Sequence, residues 1–342
     1  MKDPESLVSA TFRPETIQKK KKHAVWIIHG YPPVLNAGAE GMAHCINRFL
    51  LKHENGWAVT VLLPSFPRKE FEGVHIVPFS DKKNIEKTLG EASLIISHLR
   101  FSHLSALMAE RLGVPLVLLM HNSFQIPYLR DILKITKDVH LLYNSEWIRD
   151  FYKPFHLDNQ TLYPPVSVLD FKTDRKYVAL INCNKDKGGE MLIRLAKAMP
   201  ETSFLGVIGS YGEQVVEKNK GIHNLHYMKN TPDIRSFYSK IGIVLMPSIY
   251  ESWGRVAVES MSLGIPVVAT PTPGLRESLD SVGLFAEHDN LGQWIRAIRS
   301  LQTNPWLYER KSQEGRIRAA SLADKNKKQL VDVEKWLEGI QY

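Results

Sequence analysis

Cysteine is scarce in this sequence. Cys45 and Cys183 are the two thiols among 342 residues, which excludes a disulfide framework or a cysteine metal cluster and favours a reducing compartment. No apolar run approaches the roughly 18 residues that a membrane-spanning helix needs. The first residues also lack the apolar core of a signal peptide. We therefore expect a cytoplasmic protein, with peripheral contact at the inner membrane face as an open alternative.

Two ligand-binding motifs are absent as well. No Asp-x-Asp pair occurs, so the sequence offers no case for a catalytic metal, and we expect neither a metal ion nor another cofactor. The dinucleotide-binding fingerprint G-x-G-x-x-G does not occur either. Gly206, Gly209 and Gly212 follow a strand, but their spacing does not match it. A nicotinamide dehydrogenase is therefore disfavoured.

Basic residues outnumber acidic ones. Lys and Arg number 44 and Asp and Glu number 36, and the net charge of +8 favours phosphate-bearing or other anionic partners. Half of this excess lies in the lysines at 19–22, where a solvated tail is the more common explanation and contact with nucleic acid or anionic lipid is the alternative. The basic stretch 129–137 has the pattern of a membrane-surface helix, although ordinary solvated helices show it more often.

Short β-branched runs alternate with amphipathic stretches from residue 23 onward, which is typical of parallel sheets covered by helices. The paired prolines of Tyr163-Pro164-Pro165-Val166 interrupt both helix and strand, and the alternation restarts after them. The predicted strands are 24–28, 58–63, 74–77, 94–97, 116–120 and 141–143, then 177–183, 204–208, 225–228, 243–246, 267–269 and 284–286.

This pattern predicts an α/β fold class with two domains. The expected boundaries are a polar N-terminal extension over 1–22, an N-terminal domain over 23–166, a C-terminal domain over 167–320 and a final helix over 321–342.

Loops that follow the strands are the candidate sites, because ligands bind at the carboxyl ends of parallel strands. After the first strand, Gly38 stands at the mouth of a helix, where open backbone and the helix dipole suit a diphosphate. A plain tight turn explains Gly38 equally well. His121 directly follows the strand 116–120 and could hydrogen-bond a ligand or donate a proton near neutrality, although a lone histidine is more often structural.

Two loops in the second half carry charge. The loop 182–189 holds Lys185 and Lys187 before a helix, which indicates either a phosphate site or a solvated loop. Further on, Glu251 precedes a helix that contains Glu259 among apolar residues. A carboxylate in such surroundings needs hydrogen bonds, and sugar hydroxyls donate them well. At helical rise the two carboxylates would lie on the order of 12 Å apart, which is beyond the roughly 5 to 9.5 Å of a glycosidase pair.

These loops resemble those of the retaining glycosyltransferases of family 4, whose GT-B fold has two facing Rossmann-like domains and a C-terminal helix that returns to the first. The resemblance covers nearly the whole chain after residue 22. It rests on the glycine loop 36–40, His121, the proline hinge, Lys187-Gly188 and the pair Glu251 and Glu259.

The resemblance implies a role for each loop. Gly38 would lie near the donor diphosphate, and His121 would contact the transferred sugar. Lys187 would neutralise the leaving diphosphate, with help from backbone amides. Glu251 would contact the donor sugar hydroxyls and Glu259 the ribose. The remaining donor-binding positions that it implies are Asn182, Asn184, Lys185, Gly209, Met228, Ser252, Trp253 and Gly254.

The implied reaction moves a sugar from a UDP- or GDP-sugar to an acceptor with retention of configuration and without a metal. His121, Glu251 and Lys187 would be the catalytic residues. Family members commonly carry an arginine shortly before the lysine, and here either Lys185 replaces it or one cation and amides suffice. An epimerase of the same fold and a non-catalytic nucleotide-sugar binding protein remain alternatives. The acceptor stays open among a glycan, a lipid-linked glycan, a protein and a modified nucleic acid.

Overall fold

The computed structural model describes residues 22–35, 38–52, 56–165, 168–209, 212–217, 221–231 and 233–340. Parts of four sequence expectations lie outside these residues. They are the extension over 1–21 with most of its lysine run, Asn36 and Ala37 of the glycine loop, Val166 of the hinge, and the last two residues, 341–342, of the final helix. The chain divides into two compact units, Met1–Pro165 with Lys327–Tyr342 and Val166–Asn326.

The first unit contains an eight-stranded sheet with the order β3-β4-β2-β1-β5-β6-β7-β8, in which β3 is antiparallel to β4 and the other neighbours are parallel. All residues of β1 and β6 are buried, because helices cover both faces of a parallel sheet. The strands are β1 (His23–Ile27), β2 (Ala58–Leu63), β3 (Glu70–Phe71), β4 (Val74–Pro78), β5 (Leu94–Ser97), β6 (Leu116–Met120), β7 (Val139–Tyr143) and β8 (Asn159–Thr161).

Alternation along β1 divides the core of this unit between the two faces of the sheet. Trp26 packs in a cluster with the first helix, whereas Val25 and Ile27 pack in a second cluster with the helices of the opposite face. The helices are α1 (Gly38–Lys52), α2 (Lys82–Gly90), α3 (Ser102–Leu112), α4 (Ile126–Ile135) and α5 (Glu146–Tyr152).

The second unit contains a six-stranded parallel sheet with the order β11-β10-β9-β12-β13-β14. This is the doubly wound order 3-2-1-4-5-6, and the strands β4-β2-β1-β5-β6-β7 of the first sheet repeat it. A crevice opens where the order reverses, beside the first strand of each sheet. The strands are β9 (Tyr177–Ile181), β10 (Phe204–Val207), β11 (Leu225–Met228), β12 (Ile241–Met246), β13 (Val267–Ala269) and β14 (Leu284–Phe285).

The helices of the second half are α6 (Gly189–Ala198), α7 (Arg235–Tyr238), α8 (Arg255–Ser262), α9 (Pro273–Leu279), α10 (Leu291–Thr303) and α11 (Pro305–Gly339). The end of α11 belongs to the first unit, where Val333 and Leu337 are buried in the same cluster as Trp26. Among the described residues, no helix combines the length and the hydrophobicity that crossing a bilayer requires.

The α/β class with two parallel sheets is confirmed, and every predicted strand is present with ends shifted by two residues at most. The short strands β3 and β8 were not predicted, because they lie at sheet edges and lack an apolar run. The predicted final helix is present, but it begins at Pro305, earlier than the expected residue 321. Gly315 weakens the helical pattern there, but it stands where α11 packs closely on Met261.

Leu337→Ala is expected to destabilise the first unit by about 2–5 kcal/mol, because the buried leucine leaves a cavity. Leu337 is 1% exposed, whereas Ile317 on the same helix is 64% exposed. Ile317→Ala is therefore the matched control and should change the free energy of unfolding by about 0.5 kcal/mol or less. Urea unfolding measures both variants, and equal effects would contradict the packing of α11 on the first unit.

Candidate functional site

The crevice of the second unit is flanked by the loops that follow β9 and β12. Lys187 lies after β9 and Glu251 lies after β12, and Lys187 Nζ donates to Glu251 Oε1 at 2.5 Å. The Ser248 hydroxyl donates to the same oxygen at 3.0 Å. The two charged side chains are 21% and 13% exposed. They form an ion pair that is mostly shielded from water but still accessible to a ligand.

The loop that carries Lys187 is shaped by a cap and a glycine. Asn184 Oδ1 accepts from the Lys187 amide at 2.8 Å and so closes a short 3-10 turn. Gly188 follows with a φ of 94°, and a Cβ at that position would overlap Pro247. Glycine therefore allows the two loops to approach, and a backbone hydrogen bond of 2.9 Å joins them.

Gln214 connects two further predicted residues. Its Nε2 donates to Asn182 Oδ1 at 2.9 Å, and its Oε1 accepts from the Gly209 amide at 2.8 Å. The Asn184 amide donates to the same Asn182 oxygen at 3.3 Å. The structure thus brings Asn182, Asn184 and Gly209 together at the ends of β9 and β10.

Glu259 lies within α8 and is 9% exposed. Arg255 Nε donates to its Oε1 at 2.8 Å, and the Tyr238 hydroxyl donates to its Oε2 at 2.9 Å. Burial, together with the neighbouring Glu259 charge, raises the pKa of Tyr238, which therefore remains a hydrogen-bond donor. The hydrogen bonds that a buried carboxylate requires are met by the protein itself.

The expected spacing of the two glutamates needs a correction. It was based on helical rise over the whole interval, but β12 ends at Met246 and α8 begins at Arg255. Glu251 therefore lies in a loop, and helical rise applies to the last part of the interval alone. The value of 12 Å therefore does not apply, and the spacing of the two glutamates along the chain does not exclude a glycosidase pair.

The residues just before α8 are firmly packed. Trp253 is 2% exposed, and Gly254 has a φ of 93° at a point where a Cβ would overlap Leu275. The Ser252 backbone lies against the start of α9, so close that a Cβ added to Gly274 would overlap it. This packing holds the Glu251 loop in place at the N-terminus of α8.

Lys185 and Met228 lie further out. The Lys185 side chain is exposed. Met228 ends the edge strand β11, with β10 between it and β9, and its sulfur is 3.9 Å from Lys240 Nζ. Their assignment to the donor site therefore has less geometric support than that of Lys187.

His121 belongs to the first unit, in which three histidines and a glutamate gather at the corresponding crevice. His29, His98 and His121 follow β1, β5 and β6, and Glu40 lies in the first turn of α1. His98 Nδ1 and His121 Nε2 are 3.0 Å apart, at hydrogen-bond distance. His29 Nε2 is 3.2 Å from Glu40 Oε1.

Burial removes the charge from two of these rings. It holds the pKa of His98 well below its usual range, with a further contribution from the neighbouring His121 and His29. It also lowers the pKa of His121 to about 4, against the opposing effect of Glu40. Both rings are neutral at pH 7, so one donates and the other accepts in their contact.

Gly38 is the first residue of α1. A Cβ there would meet nothing within 4 Å, so the position has open space beside it. The two residues before it, Asn36 and Ala37, lie outside the described part of the chain.

Sequence reasoning did not single out His98, Tyr238 or Gln214. His98 follows β5 as directly as His121 follows β6, and this shared position was the signal available. Tyr238 and Gln214 reach the site from a short helix and a connecting loop, and their spacing along the chain does not indicate their contacts.

The loops of the second unit match a known family. The sequence model of the family described as Glycosyl transferases group 1 matches residues 167–318. This part of the second unit is therefore similar to the glycosyl transferases group 1 domain. The matched residues include Lys187, Glu251 and Glu259, together with the loops that hold them.

Curated relatives include several glycosyltransferases. The chain is 28% identical over 143 residues to an uncharacterized glycosyltransferase of Haemophilus influenzae, which covers 38% of this chain and 40% of that protein. It is 28% identical over 280 residues to an uncharacterized glycosyltransferase of Methanocaldococcus jannaschii, covering 75% of this chain and 79% of that one. The chain spans less than half the length of the first curated relatives that it matches.

Solved structures share the fold over most of the chain. HepE of Anabaena, in complex with UDP and glucose, has a TM-score of 0.72 at 15% identity and covers 92% of this chain and 99% of its own. A glycosyltransferase of Rickettsia africae has a TM-score of 0.71 at 13% identity, covering 93% and 98%. These matches confirm the GT-B fold class, with two parallel-sheet α/β units and a C-terminal helix.

Gly188→Ala is expected to disturb the site more than an ordinary glycine substitution, because the new methyl group would meet Pro247 at a positive φ. We expect a loss of about 1–3 kcal/mol in the free energy of unfolding. Gly292→Ala, in α10, is the control, because its Cβ would meet the end of the flexible Arg296 side chain and helix propensity would rise. Thermal unfolding of both variants tests the difference, and equal stability would contradict the close approach of the loops.

Proposed function

We propose that this protein is a retaining glycosyltransferase of family 4 that moves a sugar from a UDP- or GDP-sugar to an acceptor. The ion pair of Lys187 and Glu251, at the carboxyl ends of β9 and β12, carries the proposal. A cation and a carboxylate side by side match a ligand in which a diphosphate and sugar hydroxyls are adjacent. The UDP and UDP-glucose complexes of HepE, which has the same fold, support such a ligand.

Donor binding would exchange the partners of this ion pair. In the free protein, Lys187 and Glu251 compensate each other's charge. With donor bound, the diphosphate takes over Lys187 while sugar hydroxyls donate to Glu251, so that neither charge is left unpaired. The N-termini of α6 and α8 add amides for the phosphate oxygens. We propose that these groups supply the positive charge at the diphosphate without a metal ion there.

Glu259 is proposed to bind the ribose. Arg255 and Tyr238 each donate one hydrogen bond to it and hold the carboxylate in one orientation. A carboxylate has about four acceptor positions, so two remain for ribose hydroxyls. Asn182, Asn184 and Gly209 form the neighbouring polar group, and Lys185, Met228, Ser252, Trp253 and Gly254 complete the proposed donor site.

In the proposed reaction, the bond between the anomeric carbon and the phosphate oxygen breaks while a bond to the acceptor oxygen forms on the same face of the sugar. Because the new bond forms on the face that the leaving group occupied, the configuration is retained. The acceptor proton passes to the leaving phosphate oxygen. The protein contributes mainly by stabilising the charge that develops on the diphosphate. His121 is proposed to contact the transferred sugar as a neutral ring, and Gly38 to lie near the diphosphate.

The acceptor is proposed only as a hydroxyl-bearing molecule, since a glycan, a lipid-linked glycan, a protein and a modified nucleic acid each fit the reaction. We propose a cytoplasmic location, because Cys45 and Cys183 are free thiols that suit a reducing compartment.

The experiment that tests this function begins with calorimetric titration against UDP, GDP, ADP and NAD. We expect UDP or GDP to bind. Proton NMR then follows the matching nucleotide sugar with and without a panel of acceptors, and we expect an acceptor-dependent product with the donor's anomeric configuration. Donor conversion without acceptor would indicate an epimerase, and binding without turnover a binding protein. An inverted product would contradict retention.

Lys187→Ala is expected to lower the transfer rate by about 10²- to 10³-fold, because the diphosphate loses its charged partner. Glu251→Gln should also slow transfer, since the amide accepts sugar hydroxyls less strongly. Lys197→Ala is the matched control, because Lys197 lies at the other end of α6 and is 59% exposed. Steady-state rates measure the three variants. Full activity in both Lys187→Ala and Glu251→Gln would disprove the proposed site.

A further inference from the structure

The histidine cluster of the first unit has the composition of a metal site. One ligand atom from each of His29, Glu40 and His98 lies within 4.8 Å of the other two. Ligands of a tetrahedral zinc ion, bound at about 2.0–2.2 Å, lie about 3.3–3.6 Å from one another. A small movement of the side chains would therefore complete a set of two imidazoles and one carboxylate.

Two of the three side chains are buried and His29 is 23% exposed, and the polar atoms of the cluster are incompletely paired. His98 is 0% and Glu40 is 2% exposed. Within the described part of the chain, His29 Nδ1, Glu40 Oε2 and His98 Nε2 have no hydrogen-bond partner. Unpaired buried polar atoms are unfavourable, and each of these three side chains has one, which points to a bound group that the protein alone does not supply.

The surroundings of His98 also fit a metal ligand. A histidine that binds a metal through one ring nitrogen usually hydrogen-bonds through the other, and that bond orients the ring. His98 Nδ1 is 3.0 Å from His121 Nε2, which leaves His98 Nε2 for an ion. Metal at Nε2 would place the proton on His98 Nδ1, so His121 would accept at Nε2 and carry its own proton on Nδ1.

We propose that His29, Glu40 and His98 bind a divalent transition-metal ion of the zinc type in the first unit. Imidazole with carboxylate favours zinc, cobalt or nickel over magnesium or calcium, and three protein ligands leave a fourth position for water or a substrate oxygen. The site does not depend on the proposed transfer reaction, whose cation is Lys187 of the second unit. It departs from the expectation of no metal, which was based on the absence of Asp-x-Asp.

The test is a titration of the full chain after treatment with a chelator. Cobalt(II) is added first, because its visible absorption reports a tetrahedral site of nitrogen and oxygen ligands, and zinc is then added to displace it. We expect one equivalent of cobalt to bind with a visible band, and zinc to abolish that band. Zinc should also raise the unfolding temperature of the protein.

Variants identify the ligands. Glu40→Gln and His98→Gln should each weaken zinc binding by about tenfold or more and remove the cobalt band. Glu40→Gln keeps the size of the side chain, and circular dichroism of each metal-free variant checks that it folds. His140→Gln is the control, because His140 is also held by carboxylates, at 2.9 Å from Asp138 and 2.8 Å from Asp158. It should bind metal like the unchanged protein.

Three outcomes would overturn the proposal. They are the absence of saturable binding in the unchanged protein, unaltered binding in folded Glu40→Gln, and loss of binding in His140→Gln alone. Because none of these measurements uses a nucleotide sugar, failure here is distinct from failure of the proposed transferase activity.

Discussion

The reversal of strand order beside β1 and β9 is the constraint on which both candidate sites depend. Where two neighbouring parallel strands send their connections in opposite directions, no helix covers the crevice at their carboxyl ends. Lys187 and Glu251 follow β9 and β12, and His29 and His98 follow β1 and β5, so both clusters flank such a crevice. The same topology thus leaves two openings, and the loops determine their different chemistry.

The chemistry of the second unit depends on small residues as much as on charged ones. Gly188 lets the loop after β9 approach Pro247, and the contact between Lys187 and Glu251 requires that approach. The two site carboxylates are paired in the free protein, Glu251 with Lys187 and Glu259 with Arg255. In the proposed donor complex, the binding energy would therefore come from exchanging the partners of these charges, since they are already compensated in the free protein.

Much of this architecture could be predicted from sequence, because strands of a buried parallel sheet have continuous apolar sequences. The loops after those strands could be found for the same reason, and they contain Lys187, Glu251 and His121. The edge strand β8 and the start of α11 could not, since their stability comes from tertiary pairing and packing. The hydrogen-bond partners of the site residues could not be predicted either. Tyr238 contacts Glu259 because the fold brings them together, and their spacing along the chain does not indicate this contact.

The helix α11 makes the first unit discontinuous along the chain. Val333, Leu337 and Ile340 complete the cluster that surrounds Trp26, although its other buried residues are encoded before residue 163. During synthesis the first sheet can form early, but one face of its core stays open until the second unit has been made. The first sheet is translated before the second unit but is completed after it, and in the interval its apolar face is exposed to chaperones and to other nascent chains.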